Sequence, residues 1–242
     1  MAGEEVEKVE VVADESCEEK FEELAPEVTP EEKKKNILER WDITIEELTE
    51  LVDSNGSLRG IMQGYIAERK LRQQLDDEGK VKYLGKHDDH DRKKKGDLQV
   101  EYLATEFDLE VKSLQTKQNR YDAATKTWHG KAQVDGSDRR IVTLPDDSKL
   151  ETTNLIYNEF DILAVSVFTF ENEWKFVYAK NKDLPHSTHS KYTPEQREAL
   201  IASLVPLTYP PKAGGIFTER RMGAGWSSAA PDDRQGREEK EG

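Results

Sequence analysis

Residues 94–113 read KKGDLQVEYLATEFDLEVKS. Apolar and polar residues alternate over Asp97–Leu103 and again over Phe107–Leu114, the period of strands buried on one face. Ala104-Thr105-Glu106 joins the two runs, so the stretch predicts a β-hairpin. Asp97 opens the first strand. After twelve intervening residues, Glu110 and Lys112 lie two apart on the second. They therefore point to the same face, with Val111 on the other. A hairpin can carry Asp97 to Glu110 and Lys112, so that two carboxylates and one ammonium meet.

Metal-dependent hydrolysis of a phosphodiester calls for such a set. Hard Mg²⁺ takes carboxylate oxygens and keeps several waters. It polarises a phosphoryl oxygen and promotes deprotonation of water. A lysine can hold the attacking water and offset transition-state charge. The bland alternative is a solvated cross-strand ion pair worth about 0.2–1 kcal/mol. Acids two residues before a lysine recur elsewhere, for example Glu31/Lys33 and Asp147/Lys149. Only the strand context sets Glu110/Lys112 apart.

Working outward, Leu58, Ile61, Met62, Tyr65, Ile66, Leu71 and Leu75 precede the hairpin at helical spacing and predict a helix over 57–75. Before it, Thr29-Pro30-Glu31-Glu32 and Thr44-Ile45-Glu46-Glu47 are capping boxes. They predict helices running to about Trp41 and about Val52. A short strand is expected over Val81–Leu84. After the hairpin, 115–155 is a long polar excursion. It contains a second candidate hairpin, Arg140–Leu144 and Lys149–Asn154, around Pro145-Asp146-Asp147-Ser148. Phe160–Phe170 (FDILAVSVFTF) is nearly continuously apolar and reads as a central strand. Trp174–Ala179 follows as its partner. Thr193-Pro194-Glu195-Gln196 opens a closing helix to about Leu204. The fold class is α/β, a mixed sheet flanked by helices.

The chain has 242 residues and a net charge of -14. Residues 1–32 hold thirteen of its acids and two of its bases, whereas 33–221 is close to neutral. Residues 1–28 are expected to be a disordered acidic tail, and 222–242 a disordered polar tail. A helical extension over 29–56 then precedes a main domain over 57–221. Within 111–140 seven bases face three acids. Lys117, Arg120, Lys131, Arg139 and Arg140 are the candidate contacts to nucleic-acid phosphates there.

One cysteine, Cys17, excludes a disulfide framework and a Cys-rich zinc site. No apolar run approaches the length of a membrane span. MAGEEVEKVE lacks the features of a secretory signal, so a cytoplasmic protein with no membrane partner is expected. Other motifs read as structure. His87-Asp88-Asp89-His90-Asp91 is taken as a polar loop, Trp128-His129 as an anchored loop, and Trp174, Phe176 and Tyr178 as core.

Helix 57–75, the stretch 94–113 and the strand FDILAVSVF together resemble the PD-(D/E)XK, restriction-endonuclease-like nuclease superfamily over roughly residues 57–180. The resemblance implies that Asp97 is the motif aspartate, Glu110 the second acid and Lys112 the motif lysine. Gly96 stands where the motif has proline. Glu68 matches an additional acid that some members use for metal, and Gln115 a supporting polar residue near the site. Gln118-Asn119-Arg120-Tyr121 is similar to the glutamine–tyrosine motif of exonuclease-like members, one residue short. The function implied is a Mg²⁺-dependent DNA endonuclease, with Mn²⁺ as a substitute ion and a homodimer as one way to cut both strands. A non-catalytic nucleic-acid-binding or regulatory module on the same fold is the alternative.

Overall fold

The computed structural model describes residues 35–77, 79, 81–86 and 96–219. The two expected tails, the Thr29 capping box and His87–Asp91 lie outside the described residues. The chain divides into two compact units, Met1–Gly56 and Ser57–Gly242.

In the first unit, α1 (Ile37–Trp41) starts at Asn36, which is extended and caps the Glu39 N–H. Residues 35 and 36 are not helical, so within the described residues this helix begins at Ile37. Helix α2 (Ile45–Ser54) starts at the expected Thr44 box. The Thr44 hydroxyl accepts from the Glu47 N–H, and the Glu47 carboxylate accepts from the Thr44 N–H.

The main unit is built on a five-stranded mixed sheet in the order β1-β2-β3-β8-β9. Its strands are β1 (Val81–Gly85), β2 (Leu98–Tyr102), β3 (Thr105–Ser113), β8 (Ile162–Ser166) and β9 (Phe176–Lys180). β3 and β8 run parallel, with Lys112 beside Val165, and the other neighbours are antiparallel. The expected hairpin is present with a shorter loop. Tyr102 pairs with Thr105, and Leu103 and Ala104 alone make the turn. Both have positive φ, 50° and 58°, the conformation of tight hairpin turns whose twist matches the strands.

Helix α3 (Gly56–Asp77) covers one face through Ala67, Leu71 and Leu75, spaced four apart and buried against Val100, Phe107, Leu109 and Ile162. Its apolar stripe lies further along than the sequence suggests, for Ile61 and Tyr65 are about 60% exposed. The Gln74 amide anchors the helix by donating to the Trp174 carbonyl.

The other face carries the larger core, including Leu163, Val165, Val177 and Ala179. A second sheet packs there, ordered β10-β5-β4: β4 (Arg120–Asp122), β5 (Thr127–Gln133) and β10 (Leu204–Tyr209). The polar excursion thus folds as strands. Its last part is the second hairpin, β6 (Asp135–Thr143) with β7 (Lys149–Asn154). Three sequence readings are corrected here. The central strand stops at Ser166, and Phe168–Glu171 is a helical turn, α4. The closing helix α5 (Pro194–Ala199) ends before Leu200, which is extended. Leu204 begins β10 instead. No helix among the described residues is long and apolar enough to cross a membrane.

Candidate functional site

The register of β2 and β3 brings the three central groups together. Leu98 pairs with Leu109, so the next position outward sets Asp97 beside Glu110. The Asp97 N–H donates to the Leu109 carbonyl at 2.8 Å. Its Oδ2 accepts from the Val111 N–H at 2.7 Å. Asp97 is thus held to β3 at both ends. The preceding Gly96 has φ 117°, which proline's ring, fixed near −65°, cannot reach. A proline would therefore not fit this backbone. A side chain at 96 would also come within 3.1 Å of the Asp108 Cβ.

Glu110 is 5% exposed, and its Oε1 lies 2.7 Å from the Lys112 Nζ. Burial favours a neutral Lys112, yet the Glu110 and Asp97 carboxylates outweigh it and raise the ammonium's pKa. Lys112 is held charged. Asp97 behaves oppositely. Burial first, then the Glu110 charge, push its carboxyl up to about 7; Lys112 and the Val111 N–H pull the other way, and Glu68 adds to the rise. Glu68 reaches this field from α3 and is ion-paired to Lys86 at 3.2 Å.

Asp135, which sequence reasoning left in the charge scatter of the excursion, also acts on Lys112. Leu114 bridges Ala132 antiparallel, so the chain continuing from Ala132 runs back along β3 and carries Asp135 toward Lys112. Burial raises the Asp135 carboxyl, with Gln133 and Lys112 opposing. No local pattern marks this residue, because its approach depends on a tertiary bridge.

The remaining expected residues are more scattered. The Gln115 N–H donates to the Lys131 carbonyl at 2.9 Å, tying the end of β3 to β5. No hydrogen bond joins its side chain to the three central groups. Lys117 and Arg120 are exposed, Arg139 is exposed on β6, and Lys131 is half-buried on β5. Arg140 is differently placed from the expected nucleic-acid contact. Its guanidinium makes a two-pronged pair with Glu159 and donates to the Asn154 carbonyl. Tyr121 packs its ring on Trp128, which stacks on Phe170, so Trp128 is anchored, but Trp128 and His129 lie in strand β5 rather than in the expected loop. Among the described residues, no group of three or more His, Cys, Asp or Glu side chains is close enough to hold a metal by itself.

No family model matches the chain. No curated protein matches it. Among solved structures, the chain is similar to a bacterial homing endonuclease, I-Ssp6803I, at 17% identity and a TM-score of 0.32. The similarity covers 57% of this chain and 86% of that one.

Proposed function

We propose that the chain is a Mg²⁺-dependent DNA endonuclease of restriction-like type. The observation that carries this reading is the meeting of Asp97 and Glu110 on adjoining strands, with Lys112 paired to Glu110 at 2.7 Å. The donor set fits a hard divalent ion. Burial first, and then repulsion from the Glu110 charge, lift Asp97 to about 7, and a bound cation would favour its ionised form. Mg²⁺ needs only one or two protein carboxylates because it keeps its waters, so a site without a closed three-ligand cage suits it. Mn²⁺ would substitute.

In this reading Asp97 and Glu110 hold the ion, and Glu68 assists from α3. The ion supplies polarisation of the scissile phosphate and acidification of water. Lys112, kept charged by its carboxylate neighbours, orients the attacking water and offsets charge on the phosphoryl oxygens. The Val111 N–H fixes Asp97, so the carboxyl is oriented before substrate arrives. Cutting both strands calls for two such sites, which a second copy of the chain would supply.

The test is incubation with supercoiled plasmid and Mg²⁺. Nicking is expected, with at least a hundredfold loss in Asp97→Ala and in Lys112→Ala. Nicking that persists in both variants would refute the assignment. A second reading is favoured by the burial of Glu110 and its commitment to Lys112: a nucleic-acid-binding module in which the ion pair is a strut. It requires DNA retardation without cleavage under any divalent ion.

A further inference from the structure

The outer side of the second sheet holds a cavity of about 380 Å³, lined by Gln118, His129, Lys131, Lys212, Ile216 and Phe217 among others. Its character follows from the strand pattern. Along β5 the buried Gly130 and Ala132 alternate with His129 and Lys131, so the latter two turn away from the core. Across the sheet, Thr208 pairs with His129 and Pro206 with Lys131. The chain after β10 then folds back, adding Lys212 and the half-exposed Ile216, with Phe217 beneath them in the buried core. None of the described residues lining the cavity is acidic. Among the described residues, neither the Lys131 nor the Lys212 ammonium has an ion-pair partner.

Two unpaired cations beside the half-exposed apolar side chain of Ile216 and several hydrogen-bonding groups match the parts of a nucleotide: phosphate, base face and base edge. The volume lies at the low end of the ~300–1,000 Å³ typical of small-ligand sites, which suits one nucleotide. The cavity also adjoins the carboxylate cluster in the chain. The Lys131 carbonyl accepts from Gln115, three residues beyond Lys112, or about 10 Å along extended backbone.

We propose that this cavity binds a single unpaired nucleotide of the substrate strand, its phosphate between Lys131 and Lys212 and its base against Ile216. The nucleotide identity of the ligand rests on the nuclease reading above. The site therefore favours a single strand, a frayed end or an extruded base over intact duplex. Apolar contact with a base face involves no hydrogen-bond readout and so tolerates any sequence, and the pocket selects for strandedness.

The experiment uses the full chain in EDTA, where cleavage cannot occur, with a fluorescent ten-nucleotide single strand and the same sequence as duplex. The single strand is expected to bind at least fivefold more tightly. Lys131→Ala and Lys212→Ala should each weaken it about fivefold and lower the salt slope by about 0.7, the value for one phosphate contact on a single strand. Ile216→Ser, at a site 39% exposed, should weaken it while leaving the slope unchanged. Thymidine monophosphate should compete better than inorganic phosphate. Equal affinity for duplex, equal competition by phosphate, or unchanged binding in both lysine variants would each overturn the proposal. Asp97→Asn separates the two readings. If the pocket is right it keeps this binding, whether or not the Asp97 site proves catalytic.

Discussion

Lys112 Nζ sits 2.7 Å from Glu110 Oε1, two residues back on the same strand, with side chains 19% and 7% exposed. Such a pair is costly to break from one side, because the partner stays buried and charged. Lys112→Met is expected to destabilise the fold by about 1–3 kcal/mol, less than a fully buried pair would show since Lys112 keeps some solvent. Glu110→Met combined with Lys112→Met should recover much of that loss. Urea denaturation of the four-member cycle checks the coupling; strict additivity would mean that the two side chains do not interact.

Asp97 gives stability a pH dependence of definite sign. Its folded value of about 7 lies above the ordinary 3.8, so between these values the folded state holds a proton that the unfolded state has released. Stability therefore falls as pH rises from about 4 to about 7, by up to roughly 4 kcal/mol if the whole shift is expressed. Asp97→Asn, which mimics the protonated form, should flatten this limb and be the more stable protein at pH 8. Thermal melts from pH 4 to 8 measure it. A wild-type profile parallel to that of Asp97→Asn would contradict the raised carboxyl.

Arg140 and Lys131 of β5 should part company in experiment. Arg140 braces Glu159, whose carboxylate also accepts from the Ile156 N–H. Arg140→Ala is expected to cost about 2–4 kcal/mol and to leave the salt slope of DNA binding unchanged. A slope lowered by about one with stability intact would return Arg140 to the nucleic-acid interface.

Gly130 is a packing requirement. A Cβ there would come within 2.8 Å of the Asn119 Oδ1 and 2.9 Å of the Phe170 Cζ. Asn119 is held by its bond to Thr169, and Phe170 by its stack on Trp128. Gly130→Ala should therefore destabilise by about 1–3 kcal/mol, read by the urea midpoint. A neutral substitution would show that this layer yields easily.

How far the fold was legible depended on whether local pattern or long-range packing decided each element. The hairpin holding Asp97, Glu110 and Lys112 was readable because one of its faces is buried, which writes period two into the sequence. The Thr44 and Thr193 helices were marked by their own caps. The run through Phe170 misled because a continuous apolar stretch has no period, so Ser166 and Phe168 look alike on either side of the strand's end. β10 was missed because IASLVPLTY continues an apolar run after a helix. Pro206 is accommodated because β10 is the edge of its sheet, where a missing N–H is tolerated. β4 and β5 were read as loop since their outward residues are polar and only their inward ones, Gly130 and Ala132, are small. Asp135 and the nucleotide-sized cavity were invisible, for both are made by strands distant in sequence.

Whether a divalent ion sits between Asp97 and Glu110 is settled most directly by diffraction from crystals soaked in Mn²⁺, using the metal's anomalous signal. A peak within about 2.0–2.3 Å of oxygens from both carboxylates is expected, close to the distances of hard divalent ions, with the Lys112 ammonium retained beside it. A soak at saturating Mn²⁺ with no peak there, and Lys112 still bridging Glu110 unchanged, would contradict the metal-dependent mechanism.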